Sequence, residues 1–218
     1  MGMFDDGFSA LQIIEDPIDQ FHYFSDSSMQ YINVDENVSE RTTIGGFITG
    51  VLDNRTKSMN YIGCNINRIN GDNHLGEAAA IDMILNDIES KHIVAKHYIH
   101  TDSDAVFESV RKQLKYDRHI DKSPNPPKHM NENFGKVIKR ISKKIIRQNQ
   151  IKDNEIHMDC IKSHETPKRQ LKKYKDLDGE RMPAIDINYI NKGNKVIDRF
   201  IGAIASDLNM NFIDEYQL

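Results

Sequence analysis

The hydrophobic pattern of this chain changes period near residue 70, and that change restricts the fold more than any other feature. Before it, β-favouring runs dominate: Gln20 to Asp26, then residues 44–52 and 59–68, the last two separated by the turn-forming run 52–57. After it, Ile81, Ile84, Leu85 and Ile88 recur at helical spacing, with Ala78, Ala79 and Ala80 lowering the cost of helix formation. A strand-like run then ends at Asp102, and residues 103–114 read as a helix that Ser103 or Asp102 would cap. Pro124, Pro126 and Pro127 break the pattern. Residues 134–148 form an amphipathic helix with Phe134, Val137, Ile138, Ile141 and Ile145 on one face. A strand over 155–164 and a helix over 194–208 close the order. Three strands followed by alternating helices and strands imply a mixed sheet with helices packed on it, an α/β architecture.

Between these elements lie segments with no clear period. Residues 1–20 hold a short apolar run, Phe8 to Ile14, and read as an extension that docks on the core or on a partner. Residues 27–43 are polar and read as a long loop. Residues 165–190, charged and polar, read as an insertion that would form a lid or a protein-contact site. With 218 residues, 38% of them hydrophobic, the chain buries a core without disulfide staples. Cys64 and Cys160 lack zinc or redox spacing and read as free thiols in a reducing compartment. No run approaches the ~18 apolar residues that a membrane span needs, and the acidic start lacks an export signal. The expected location is the cytoplasm.

The carboxylates carry the chemistry. Asp26 ends the first strand and Asp102 the fourth, so both emerge at one sheet edge if those strands are parallel neighbours. Glu77 shares the apolar stripe of the first helix with Ile81, Ile84 and Ile88. A buried acid needs a partner, and a divalent cation shared with other acids supplies one. Each acid alone has a plainer reading: strand-end aspartates are commonly solvated, and first helical turns favour acids for dipole reasons. His100, Asp102 and Asp104 alternate as a metal cluster would, but a helix beginning there makes His100 a structural residue instead.

The net charge of −4 is unevenly spread. The stretch that starts at Arg111 and ends at Gln150 also carries Lys112, Lys115, Arg118, Lys122, Lys128, Lys136, Lys139, Arg140, Lys143, Lys144 and Arg147, against only Asp117, Asp121 and Glu132. Such asymmetry suits a phosphate-binding surface beside an acidic, metal-loving site. A solvated helix face is the other reading of the same lysines.

Taken in order, the segments resemble the type 1 ribonuclease H family. YFSDSS (23–28) resembles its first-strand motif, although Ser27 stands where the family has glycine. GGFI (45–48) resembles its second strand. NHLGEAAAIDMIL (73–85) is similar to its Asn- and Glu-bearing helix, and IHTDSDAV (99–106) to its Thr-Asp-Ser block. IKSH (161–164) and NKVIDRFIGAIA (194–205) resemble the closing strand and helix. The resemblance covers 21–110 and 155–205, within a domain spanning 21–210.

That resemblance implies a ribonuclease H-like five-stranded mixed sheet, order 3-2-1-4-5. It implies that Asp26, Glu77, Asp102 and Asp198 hold two Mg²⁺ or Mn²⁺ ions, ~4 Å apart in such sites, and that His164 assists proton transfer or product departure. Hard oxygen donors suit these ions rather than zinc. The implied activity is an endonuclease cutting the RNA strand of RNA–DNA hybrids and leaving 5′-phosphate and 3′-hydroxyl ends. Ser27, Ser28, Asn73, Ser103 and Asn194 would meet the substrate near the acids, and Lys136, Lys139, Arg140, Lys143 and Lys144 its flanking backbone.

The chain also departs from the family. Asp72 stands near its DNA-phosphate pocket, His74 replaces a second asparagine, and tryptophan is absent. These departures leave room for a related nuclease acting on DNA or structured nucleic acid, or for a binding module without catalysis, which would not need four acids in register. The Asn-, Ile-, Lys- and Asp-rich usage points to an A+T-rich genome such as a phage's.

Overall fold

The computed structural model describes residues 20–35, 38–53, 56, 58–119, 125–161, 177, 187–206, 214 and 216–218, with only the backbone described at 30–35, 38–41 and 187. Elements follow in the order β1 (Gln20–Asp35), β2 (Val38–Asp53), β3 (Ser58–Ile69), α1 (Asn73–Lys91), β4 (Lys96–Thr101), α2 (Asp104–Asp117), α3 (Glu132–Gln148), β5 (Glu155–Cys160) and α4 (Ile187–Ser206). One five-stranded sheet has the order β3-β2-β1-β4-β5. β1 pairs antiparallel with β2, and β2 with β3, while β4 runs parallel to both β1 and β5. This is the mixed sheet that the change of period and the resemblance imply.

The two faces of the sheet bury different partners. Tyr23, Phe47, Ile99 and Met158 pack with α1, α2 and α3 on one face. Phe24, Ile44, Ile48 and Ile161 pack on the other with Ile190, Ile197, Ile201 and Ala205 of α4. Strand alternation therefore sends Asp26, two residues beyond Phe24, toward the α4 side. Helix α1 is buried from Leu75 to Leu85 because the sheet lies on one side of it and α3 on another. Among the described residues, no helix is long and apolar enough to cross a membrane.

Three expectations are corrected. Residues 27–43 are not a long loop, and Asp26 lies within the first strand and does not end it: β1 continues to Asp35 and pairs with β2 from Val38 onward, with one irregularity between Asn33 and Asp35. A backbone ladder needs no apolar alternation to form, and Ile32, Val34, Thr42 and Thr43 are β-branched residues that favour it. The closing helix begins at Ile187, inside the segment expected to be an insertion. Its first turns are rich in Asn and carry Gly193, which mask the helical pattern. Gly193 is required there, since a Cβ would lie 2.3 Å from the Phe24 ring. The N-terminal extension up to residue 19, most of the insertion and His164 lie outside the described residues.

Candidate active site

The start of α1 is held against β1 and β2 by contacts that leave no room for side chains. A Cβ on Gly76 would stand 2.3 Å from Thr43 Cγ2 and 2.9 Å from Ser27 Cβ, and one on Gly45 would stand 2.6 Å from the Gly76 carbonyl oxygen. The Thr43 hydroxyl donates to the Gly71 carbonyl at 2.7 Å, fixing the turn before the helix. Asp72 caps α1, its carboxylate accepting from Leu75 N at 2.9 Å. These contacts bring Glu77 over the strands that carry Asp26.

A short chain of hydrogen bonds then orients Glu77. The Ser27 hydroxyl donates to Asn73, whose Oδ1 lies at 2.9 Å and whose carbonyl oxygen lies at 3.0 Å. Asn73 Nδ2 in turn donates to Glu77 Oε1 at 3.2 Å. Ser27 and Asn73, both expected at the substrate, are thus already committed to holding Glu77. Glu77 Oε2 is buried without a hydrogen-bond partner, and His74 Nδ1 stands 3.8 Å from it, beyond bonding distance.

Asp26 projects from β1 with one carboxylate oxygen accepting from Ser27 N at 2.7 Å. Burial is the largest influence on it, and repulsion from Asp102, Asp198 and Glu77 adds to burial. Together these outweigh the Ser27 bond and push its pKa up to about 7. Burial also raises Glu77, Asp102 adding to the effect and Ser103 and His74 opposing it. The four acids therefore share one electrostatic field. Asp102 follows β4 directly, and the next residue, Ser103, caps α2 with its hydroxyl toward Val106 N. Asp198 is exposed on α4, which crosses β1 and β2.

Near Asp198 on α4, Asn194 is 5% exposed, and neither atom of its amide has a hydrogen-bond partner. Ser28 is half-buried on β1 opposite Ile44. Among the described residues, no three His, Cys, Asp or Glu side chains are drawn together tightly enough to hold a metal ion as they stand. The donor set still fits a hard divalent cation: every candidate ligand is a carboxylate, and Glu77 Oε2 is buried with no hydrogen bond at normal distance.

The cations expected on the substrate backbone divide into two sets. Arg140 and Lys144 turn to α1, where both pair with Asp82, at 2.9 and 2.7 Å. Asp82 is 1% exposed and also accepts from the Tyr216 hydroxyl at 2.8 Å. Lys136 pairs with Glu132 at 2.9 Å along its own helix. Lys139 and Lys143 are exposed on the outer face of α3. The sequence reading missed Asp82, which looks like one more polar position on a helix; the signal is that it falls among buried neighbours from Ala80 to Leu85. His100 is fully buried and hydrogen-bonded to Asp159, as a structural residue would be.

No family model and no curated protein matches the chain. Solved structures do. The protease–reverse transcriptase of prototype foamy virus aligns with a TM-score of 0.56 and 16% identity over 87% of this chain. This chain spans 21% of that protein's length. The isolated ribonuclease H domain of the same virus aligns with a TM-score of 0.51 and 16% identity, covering 84% of this chain and 92% of the domain. At such identity the likeness speaks for the fold, and together with the strand order it establishes that the chain has a ribonuclease H-like fold.

Proposed function

We propose that this chain is a divalent-cation-dependent endonuclease that hydrolyses the RNA strand of RNA–DNA hybrids. The observation that carries the proposal is the convergence of Asp102, Asp198 and Glu77 on Asp26, where burial and these neighbouring charges make an ionised Asp26 costly unless a cation enters. These four would hold Mg²⁺ or Mn²⁺. Two such ions, when bound, supply an activated water and stabilise the leaving 3′ oxygen of an in-line displacement.

The residues around the acids have separable roles in this reading. Asn73 and Ser27 keep Glu77 aimed at the edge. Asn194, buried near Asp198 with neither amide atom hydrogen-bonded, is proposed from the resemblance alone to meet the nucleic acid. Ser28 and Ser103 would contact the backbone or the 2′-hydroxyls that distinguish RNA from DNA. Lys139 and Lys143 would meet flanking phosphates with marked salt dependence, and Arg140 and Lys144 would act indirectly by fixing α3 on α1. His164 is proposed from the resemblance alone to assist proton transfer or product departure, and the cut would leave 5′-phosphate and 3′-hydroxyl ends.

The test is a panel of labelled hybrid, duplex DNA, duplex RNA and single strands with Mg²⁺, Mn²⁺ or EDTA. Cleavage of the hybrid's RNA strand is expected, abolished by EDTA and by Asp102→Asn. Preferential cutting of duplex DNA would refute the substrate, and failure to cut anything would refute the enzyme.

A further inference from the structure

The face of the sheet that carries Asp26 also carries a row of planar side chains that the proposed chemistry does not use. Phe24 stacks on His100 with ring centres 4.9 Å apart. His100 stacks on His22 at 5.4 Å, His22 on Tyr98 at 5.1 Å, and Tyr98 on His157 at 5.0 Å. The row crosses β1, β4 and β5. A polar line runs through it as well: Asp159 oxygens lie 2.9 and 3.0 Å from His100 Nδ1, and His100 Nε2 lies 3.1 Å from His22 Nδ1. His22, His100 and Asp159 are each 0% exposed.

The bonding assigns the protons. A carboxylate only accepts, so His100 Nδ1 carries hydrogen toward Asp159. On a singly protonated His100, Nε2 then accepts from His22 Nδ1. His22 Nε2 ends the line, buried without a partner. Apolar side chains of the same volume would cost less to bury than this carboxylate and these imidazoles. What the row contributes must therefore be sought in what it holds.

Its Phe24 end and His100 lie beside the candidate acids. His100 precedes Asp102 by two residues, and its carbonyl oxygen accepts from the Ser25 hydroxyl, next to Asp26, at 3.2 Å. The Phe24 ring fills the space over Gly193, whose added Cβ would lie 2.3 Å from it. Gly193 adjoins Asn194 and lies within two turns of Asp198. Three acids from three elements are thus referred to one rigid row. We infer that Asp159, His100 and His22 are positioning residues that set the spacing of Asp26, Asp102 and Asp198 for divalent-cation binding.

This inference rests on the proposed function, and its test separates the two. The probe is Mn²⁺, titrated into the full chain and followed by electron paramagnetic resonance of the free ion, with hybrid cleavage and thermal unfolding measured beside it. The double variant His100→Phe/Asp159→Leu keeps the stack and removes the polar line. Because it leaves the buried His22 Nδ1 without its acceptor, it is expected to melt somewhat below the wild type, while the Mn²⁺ affinity of the folded protein falls about tenfold, at the low end for groups behind metal ligands. Cleavage at subsaturating Mn²⁺ should fall in step, and hybrid affinity in EDTA should not change. A merely structural role would lower the melting temperature and leave Mn²⁺ affinity of the folded protein intact. Asp159→Asn, which keeps the acceptor toward His100, should shift Mn²⁺ affinity in the same direction by less, and carries the test if the double variant fails to fold. Wild-type Mn²⁺ affinity in the folded variants would overturn the positioning role while leaving the nuclease reading intact. A wild-type chain that neither binds Mn²⁺ nor cuts hybrid would overturn both.

Discussion

Asp26 carries the conflict between stability and function at the candidate site. Its folded-state pKa of about 7 lies above the ordinary 3.8, so folding takes up a proton between these values. Stability from this group is present in full below pH 3.8 and is lost as pH rises through about 7. In EDTA, Asp26→Asn should therefore melt a few degrees above the wild type at pH 8, a gain of about 2 kcal/mol, and no higher at pH 4. Divalent cation should stabilise the wild type at pH 8 and leave the variant nearly unmoved. Thermal unfolding at the two pH values, with and without Mg²⁺, measures both effects. A wild type that melts higher at pH 8 than the variant in EDTA would show that the acids do not strain one another. The sequence pointed to these acids through the β-favouring runs that lead to Asp26 and Asp102 and the apolar stripe around Glu77, although Asp26 lies within β1 and not at its end. It did not show that Ser27 and Asn73 serve Glu77, since a hydrogen bond across 46 residues leaves no local pattern.

At the scale of elements, α1 is the part on which the site depends. Gly76 lets its first turn touch β1 and β2, so Gly76→Ala should force the turn away from Thr43 and cost about 1–3 kcal/mol. Cleavage should fall further than stability accounts for, because Glu77 moves with that turn. Urea unfolding and single-turnover cleavage distinguish the two effects. The far side of α1 depends on Asp82, whose removal leaves Lys144, 9% exposed in its side chain, without its charged partner. Asp82→Ala should cost about 3–5 kcal/mol by denaturant unfolding; a cost under 1 kcal/mol would mean that the ion pairs contribute little. The element types and their order were legible from the change of period. The β1–β2 ribbon was not, because 27–43 lacks the alternation that marks a half-buried strand, and pairing between strands is not written in either strand alone.

For the whole molecule, the proposed function asks an acidic edge and a basic outer helix face to cooperate on one polyanion. The net charge of −4 opposes nucleic-acid binding, so exposed cations such as Lys139 and Lys143 matter more than their number suggests. Replacing both with Ala should weaken hybrid binding at low salt and flatten the salt dependence by about one unit of slope for each phosphate left unneutralised. Fluorescence anisotropy across a salt series in EDTA reads this directly, and an unchanged slope would move the phosphate surface elsewhere. The central claim is that distant acids meet where the β1–β4 ladder ends, just beyond Phe24 and His100, to hold cations. Crystals soaked in Mn²⁺ and recorded at the manganese absorption edge test it most directly. Anomalous peaks should lie within about 2.2 Å of an oxygen of Asp26 and of oxygens from at least two of Glu77, Asp102 and Asp198, the distance typical of Mg²⁺-like ions. Manganese bound elsewhere, with this edge empty at saturating concentration, would contradict the account.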